Sequence, residues 1–204
     1  METFRLIEPK MVPPLDPGFR PPALANRAFR AEVASSGAGV SLVFGLERTN
    51  GEISRYETTV FPDGHPRAAA NLFYAERLLK TLLWQRGAWR VFVGGPRGVG
   101  EHLLKIYSPA GERKFDVDFM GGDVYERTFT VVPCEVKDVP AAFEKPRPLG
   151  GHLNGCRIGF DLGASDRKVS AVIDGKAVFS EEVVWEPRKH SDPEYHYREI
   201  LAGL

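Results

Sequence analysis

The sequence predicts a mixed α/β (α+β) protein in two parts, and three features of its 204 residues carry that expectation. Apolar, β-branched runs come in pairs around short turn segments. One long stretch, residues 66–86, has helical periodicity instead. Between two patterned regions lies a segment rich in proline and glycine, residues 139–155, which reads as a linker.

Residues 1–39 form a proline-rich lead-in; prolines crowd residues 9–22, remove backbone donors and favour extended chain, so this part is expected to be partly disordered. The segment 40–138 is expected to be an α+β domain. "VSLVFGLER" and "EISRYETTVF" make its first hairpin, turned at Asn50 and Gly51. From Pro66 to Arg86, Ala69, Leu72, Phe73, Leu79, Leu82 and Leu83 fall on one helical face, Glu76 and Lys80 stand four residues apart as an ion pair, and Gly87 is a stop signal. "AWRVFVGG" reads as a buried strand and "VGEHLLKIY" as a short helix. A second hairpin is expected in residues 113–132, turned at Gly121 and Gly122.

Residues 156–204 follow the linker. They read as a strand, a small-residue turn, a second strand, the strand "AVFSEEVVW" and a final helix, with Asp192 as its cap and Pro193 at its first position. That helix stops while its apolar pattern, Tyr197, Ile200, Leu201 and Leu204, is still running. One three-stranded meander and one helix cannot bury both faces of a sheet. An incomplete domain that self-associates is the expectation, and a homo-oligomer follows from it.

Composition excludes several functions. The 43% hydrophobic content suffices for a core, and 27 basic residues balance 27 acidic ones, so no overall field draws in nucleic acid or an acidic membrane surface. Cys134 and Cys156 lack paired zinc-site spacing and are too few for a disulfide framework; both are read as reduced thiols. No run is long enough to cross a bilayer, which points to a cytoplasmic location. The five histidines are scattered, so no metal cluster is indicated. Trp84, Trp89, Tyr107 and Trp185 are assigned to core or interface filling.

Two stretches can carry chemistry. In "VFVGGPRGVGEHLLKIY" a strand enters a glycine-rich loop and a helix, whose first N–H groups can receive an anion beside Arg97. It matches neither the Walker A pattern nor the dinucleotide fingerprint, so a plain connection is favoured. The other stretch is "GCRIGFDLGASDRKVSAVIDGKAVF". There Gly163, Ala164 and Ser165 let a phosphate approach backbone N–H groups, Asp161 can hold magnesium directly or through water, and Lys168 adds a positive charge. Taken alone, an Asp-x-Gly at a hairpin end is more often only a turn.

The surrounding pattern adds to this. Strand, Asp161-Leu162-Gly163-Ala164-Ser165, second strand, Asp174-Gly175 turn and third strand resemble the first phosphate motif of the sugar kinase, actin and heat-shock chaperone superfamily. The nearest likeness is the ROK family of sugar kinases and repressors, mainly over residues 156–185. The resemblance implies a ribonuclease-H-like (actin-like ATPase) start, ATP and Mg2+ as cofactors and a sugar as substrate, as in glucokinase-like members. It makes Asp161 the magnesium-associated carboxylate and Gly163, Ala164 and Ser165 the phosphate turn. Two departures stand beside it. "SDRK" places charges where the family turns straight into its second strand. The chain also has no Asn-Asp pair for a catalytic base, no second phosphate motif and no later glycine pair for the adenosine.

The expected function is therefore the N-terminal portion of a ROK-like ATP-dependent sugar kinase, with no catalytic residue assigned and the chain inactive as it stands. The alternative is a non-catalytic, sugar-responsive regulator or interaction domain with a kinase-like fold. DNA binding is the weaker form of it, because "VGEHLLKIY" offers a single lysine to a groove. Residues 40–138 also show the hairpin, helix and strand order of a ribonuclease-H-like lobe, with Glu47 and Arg48 where the phosphate turn would stand.

Overall fold

Strand β1 (Val40–Glu47) is buried from Leu42 through Leu46, so both of its faces must be covered. It lies inside a four-stranded sheet of order β2-β1-β3-β4, formed with β2 (Ile53–Val60), β3 (Arg90–Gly94) and β4 (Thr130–Cys134). β1 runs antiparallel to β2 and β3, while β3 and β4 are parallel. The β1–β2 connection turns at Asn50 and Gly51, with φ of 60° and 70°, a conformation open to Asn and Gly at little cost. This computed structural model describes residues 4–145 and 149–204, which fall into two units, Met1–Pro146 and Arg147–Leu204.

Helices cover one face of the sheet. Phe29 and Val33 of α1 (Pro22–Ser36), Tyr74, Leu79 and Leu83 of α2 (Ala68–Arg86), and Leu103 and Ile106 of α3 (Arg97–Ile106) share a core with Leu42, Phe44, Leu46, Val91 and Val93. Asn71, Thr58 and Tyr74 pair their polar groups inside it, whereas the buried Tyr107 hydroxyl has no hydrogen-bond partner among the described residues. The Asn71 amide accepts from Phe61 N at 3.1 Å and donates to Phe61 O at 2.7 Å, and the Thr58 and Tyr74 hydroxyls lie 2.9 Å apart. The long crossover from β3 to β4, which a parallel pair requires, contains α3 and the short α4 (Lys114–Asp118).

The opposite face is closed by the segment read as linker. Val139 is buried against Gly45 and Gly94; a Cβ at Gly45 would stand 2.9 Å from Val139 Cγ1. Arg55 donates to Val139 O at 3.0 Å, and Ile53 and Phe143 exchange backbone hydrogen bonds of 2.8 and 2.9 Å. Glu144 accepts from Ser54 and pairs with Arg48 at 3.5 Å. The first half of residues 139–155 is thus part of the first unit, and the division falls at Pro146/Arg147.

Further expectations are corrected. The lead-in contains α1, which starts at Pro22 and ends at Gly37 in the left-handed conformation (φ 66°); Ala25, Phe29 and Val33, four residues apart, form its buried face. The hairpin at Gly121–Gly122 is instead α4 followed by a π-helical turn, Phe119–Val124. Asp116 decides this, because its buried carboxylate takes Trp84 Nε1 at 2.7 Å and Lys80 Nζ at 3.1 Å, which turns Val117 and Met120 into the core. Lys80 is therefore spent on Asp116, and Glu76 pairs with Arg113 rather than with Lys80. On α2, Leu79, Leu82 and Leu83 are buried as expected, while in its first half Phe73 is exposed and Ala70, Tyr74 and Ala75 are buried instead.

The second unit is a meander of β5 (Cys156–Leu162), β6 (Asp166–Ile173) and β7 (Lys176–Val184), in sheet order β5-β6-β7 and antiparallel throughout, followed by α5 (Pro193–Gly203). Its β6–β7 turn uses Asp174 and Gly175, both at positive φ. Asp192 caps α5 as expected, accepting from Glu194 N at 3.0 Å. α5 lies over Phe160 and the buried Arg167, whose Nε sits 3.1 Å from Glu199. Cys134 and Cys156 are both free thiols, and no helix among the described residues is long and apolar enough to cross a membrane.

Candidate functional site

Side chains alternate along β5, so Arg157, Gly159 and Asp161 share one face and Cys156, Ile158, Phe160 and Leu162 the other. Register then brings Asp161 opposite Lys168, and Lys168 opposite Glu182. One row across the sheet thus holds carboxylate, ammonium, carboxylate. It lies on the face opposite Phe160, Val169 and α5, in solvent.

The turn Gly163-Ala164-Ser165 closes immediately beyond Asp161. A Cβ at Gly163 would stand 2.7 Å from Asp166 O and 3.2 Å from Asp166 Oδ1, so only glycine fits. Trp185 pins the turn twice: its indole N–H donates to Gly163 O at 2.7 Å and its backbone N–H to Ser165 O at 3.1 Å. Trp185 is itself buried, stacked near Tyr195 and met edge-on by His196 at 5.9 Å, both from the first turn of α5. Capping by Asp192 therefore bears on the turn through the helix that holds Trp185.

Charges around the turn are uneven. Lys168 Nζ donates to Asp166 Oδ1 at 2.6 Å and stands 3.7 Å from Glu182. That hydrogen bond raises the Lys168 pKa and lowers that of Asp166, which also accepts from Ser165 Oγ at 3.2 Å. Among the described residues, Asp161 accepts no hydrogen bond and makes no ion pair, and the N–H groups of Ala164 and Ser165 reach no protein acceptor. Asp161, Gly163, Ala164, Ser165 and Lys168 are thus brought together. Sequence reasoning left out Glu182, the second carboxylate on Lys168, which sits on the third strand, and the hydrogen bonds of Trp185, which follows that strand directly.

A magnesium ion is commonly held by one or two carboxylates, with phosphate oxygens and waters completing the octahedron. Asp161, with both oxygens open beside two undirected N–H groups, fits that role. Among the described residues, no group of three or more His, Cys, Asp or Glu side chains is arranged to hold a metal without a ligand's help.

The second stretch has a different outcome. The N-terminus of α3 is already taken by Asp63, whose carboxylate accepts from Arg97 N at 2.7 Å and Gly98 N at 3.2 Å, and Arg97 turns away to Glu101 at 2.6 Å. A protein carboxylate stands where an anion would sit, so this is the plain strand-to-helix connection. No family model, no curated protein and no solved structure matches the chain.

Proposed function

We propose that residues 156–204 are the phosphate-binding start of a ROK-like, ATP-dependent sugar kinase with a ribonuclease-H-like nucleotide lobe. The observation that carries this reading is the open carboxylate of Asp161 at the end of β5, next to a turn that only Gly163 permits and that Trp185 holds in place. Three antiparallel strands followed by a helix also agree with the expected order of such a lobe. Asp161 would hold the magnesium of Mg-ATP, and Gly163, Ala164 and Ser165 would present backbone donors to its phosphates. ATP would supply the phosphoryl group and a sugar hydroxyl would receive it. Residues 40–138 contribute nothing to the proposal, since β3 enters antiparallel beside β1 and α3 is capped from within.

A second reading, a non-catalytic sugar-responsive regulator or interaction domain, is favoured by Lys168. Its ammonium is committed to Asp166 and Glu182, so it has little charge to offer a phosphate. Calorimetry of Mg-ATP binding to the full chain separates the two, with Asp161→Ala and a magnesium-free titration alongside. The expected result is binding that needs magnesium and that Asp161→Ala weakens by about tenfold or more, the worth of one hydrogen bond or ligand contact to a charged group. Absence of binding, or binding indifferent to Asp161→Ala, would overturn the nucleotide reading and leave the interaction reading in front.

A further inference from the structure

We propose that two copies of this chain pair through the outer edge of β5, antiparallel, with Gly159 at the two-fold axis and each Arg157 set against the partner's Asp161. Among the described residues, β5 has β6 on one side and no strand on the other, so its outward N–H and C=O groups form an unpaired row. The chain entering β5 does not cover that edge. Gly155 is bound to Asp174 at the β6–β7 turn, and Leu153 lies beside Gly175.

The occupant follows from the strand's own pattern. "CRIGFDL" read against itself in reverse sets Arg157 opposite Asp161 twice on the polar face. On the apolar face, the same register sets Ile158 opposite Phe160 and Cys156 opposite Leu162. Opposite charges in directly facing cross-strand positions attract, and apolar pairs stabilise the same register. Shifting by two residues puts Arg157 opposite Gly159 or Gly163 and shortens the overlap; shifting by one sets the apolar face of one copy against the polar face of the other. Full overlap of β5 and both charge pairs therefore select one register.

The side chains are ready for it. Asp161 faces Lys168 across the strands but makes no hydrogen bond or close ion pair among the described residues, and Arg157 uses Nε on His152 O at 2.9 Å and Nη1 on Cys156 O at 2.8 Å, which leaves Nη2 without a bond. Ile158 is 62% exposed and Leu162 46%, a large apolar area for a strand with one covered face. A two-fold interface of this kind uses the same patch on both copies and closes. It joins the two meanders into one continuous sheet and brings the partner's Arg157 to the edge of the turn that follows Asp161.

The proposal does not rest on the nucleotide reading, because its test contains neither nucleotide nor magnesium. Sedimentation equilibrium of the full chain is expected to show a monomer–dimer equilibrium. Arg157→Glu should raise the dimer dissociation constant by about tenfold, since it places two carboxylates opposite each other at both pairs. The double variant Arg157→Asp with Asp161→Arg should restore dimerisation, with far-UV circular dichroism checking that each variant folds. Leu162→Cys tests the register directly: mild oxidation should give a covalent dimer through Cys156, while the wild-type chain under the same oxidant should not. A monomer at all concentrations, a dimer indifferent to Arg157→Glu, or a double variant that fails to recover while folded would each overturn the proposal.

Discussion

His102 shows how burial can outweigh nearby carboxylates. It sits on α3 beside Glu112, Glu76 and Lys105, and desolvation holds its imidazole below the ordinary value of 6.5 despite the two carboxylates, which pull the other way. The unfolded chain binds that proton more readily than the folded one, so stability is whole above pH 6.5 and falls as pH drops below it. The melting temperature should therefore decrease between pH 7.5 and pH 5.5, and His102→Leu should flatten that decrease; parallel curves for the two proteins would remove the assignment. Asn71 follows a similar logic without titrating, because its amide satisfies both backbone groups of Phe61 inside the core. Neither role was legible in sequence. A histidine and an asparagine in a helical run carry no mark of what packs on them.

Elements were more legible where their stop and start signals are local. α2 ends at Gly87, the β1–β2 hairpin turns at Asn50-Gly51 and α5 opens on Asp192-Pro193, all as the residue types require. α3 was also foreseen, but its start is capped by Asp63, which lies far back in the chain after β2. Asp63→Ala should cost about 1 kcal/mol, the usual worth of a helix N-terminal cap, read as a lower urea midpoint at unchanged slope. An unchanged midpoint would show the helix start to be satisfied by solvent. α4 was missed for the reason that Asp63 was: its helicity depends on Asp116 finding Trp84 and Lys80, and the glycine pair after it mimics a turn. α1 was missed differently, since Pro22, the apolar spacing of Ala25, Phe29 and Val33, and Gly37 were all present but outweighed by the prolines before them.

At the scale of the molecule, the first unit keeps its own closed core, including the strap of residues 136–145 over Gly45 and Gly94. Residues 1–146 made alone should therefore unfold in one cooperative transition, whereas a chain ending at residue 138 should lose much of that cooperativity because Val139, Phe143 and Glu144 leave with the strap. Calorimetry of the two truncations decides it; equal transitions would show the strap to be ornamental. The second unit instead leaves Ile158, Phe179 and Leu201 exposed to water. By itself the sequence determined the mixed class, most strands, the long helix, the cap of α5 and the small-residue turn after Asp161, because each depends on neighbours a few residues away. Only the tertiary structure decided that Lys168 is held by Asp166 and Glu182, that Trp185 pins Gly163, that Asp63 caps the start of α3 and that the first half of the linker closes a sheet. Those outcomes depend on register and on contacts between distant segments, and local residue preferences do not encode which of several compatible partners a side chain will meet.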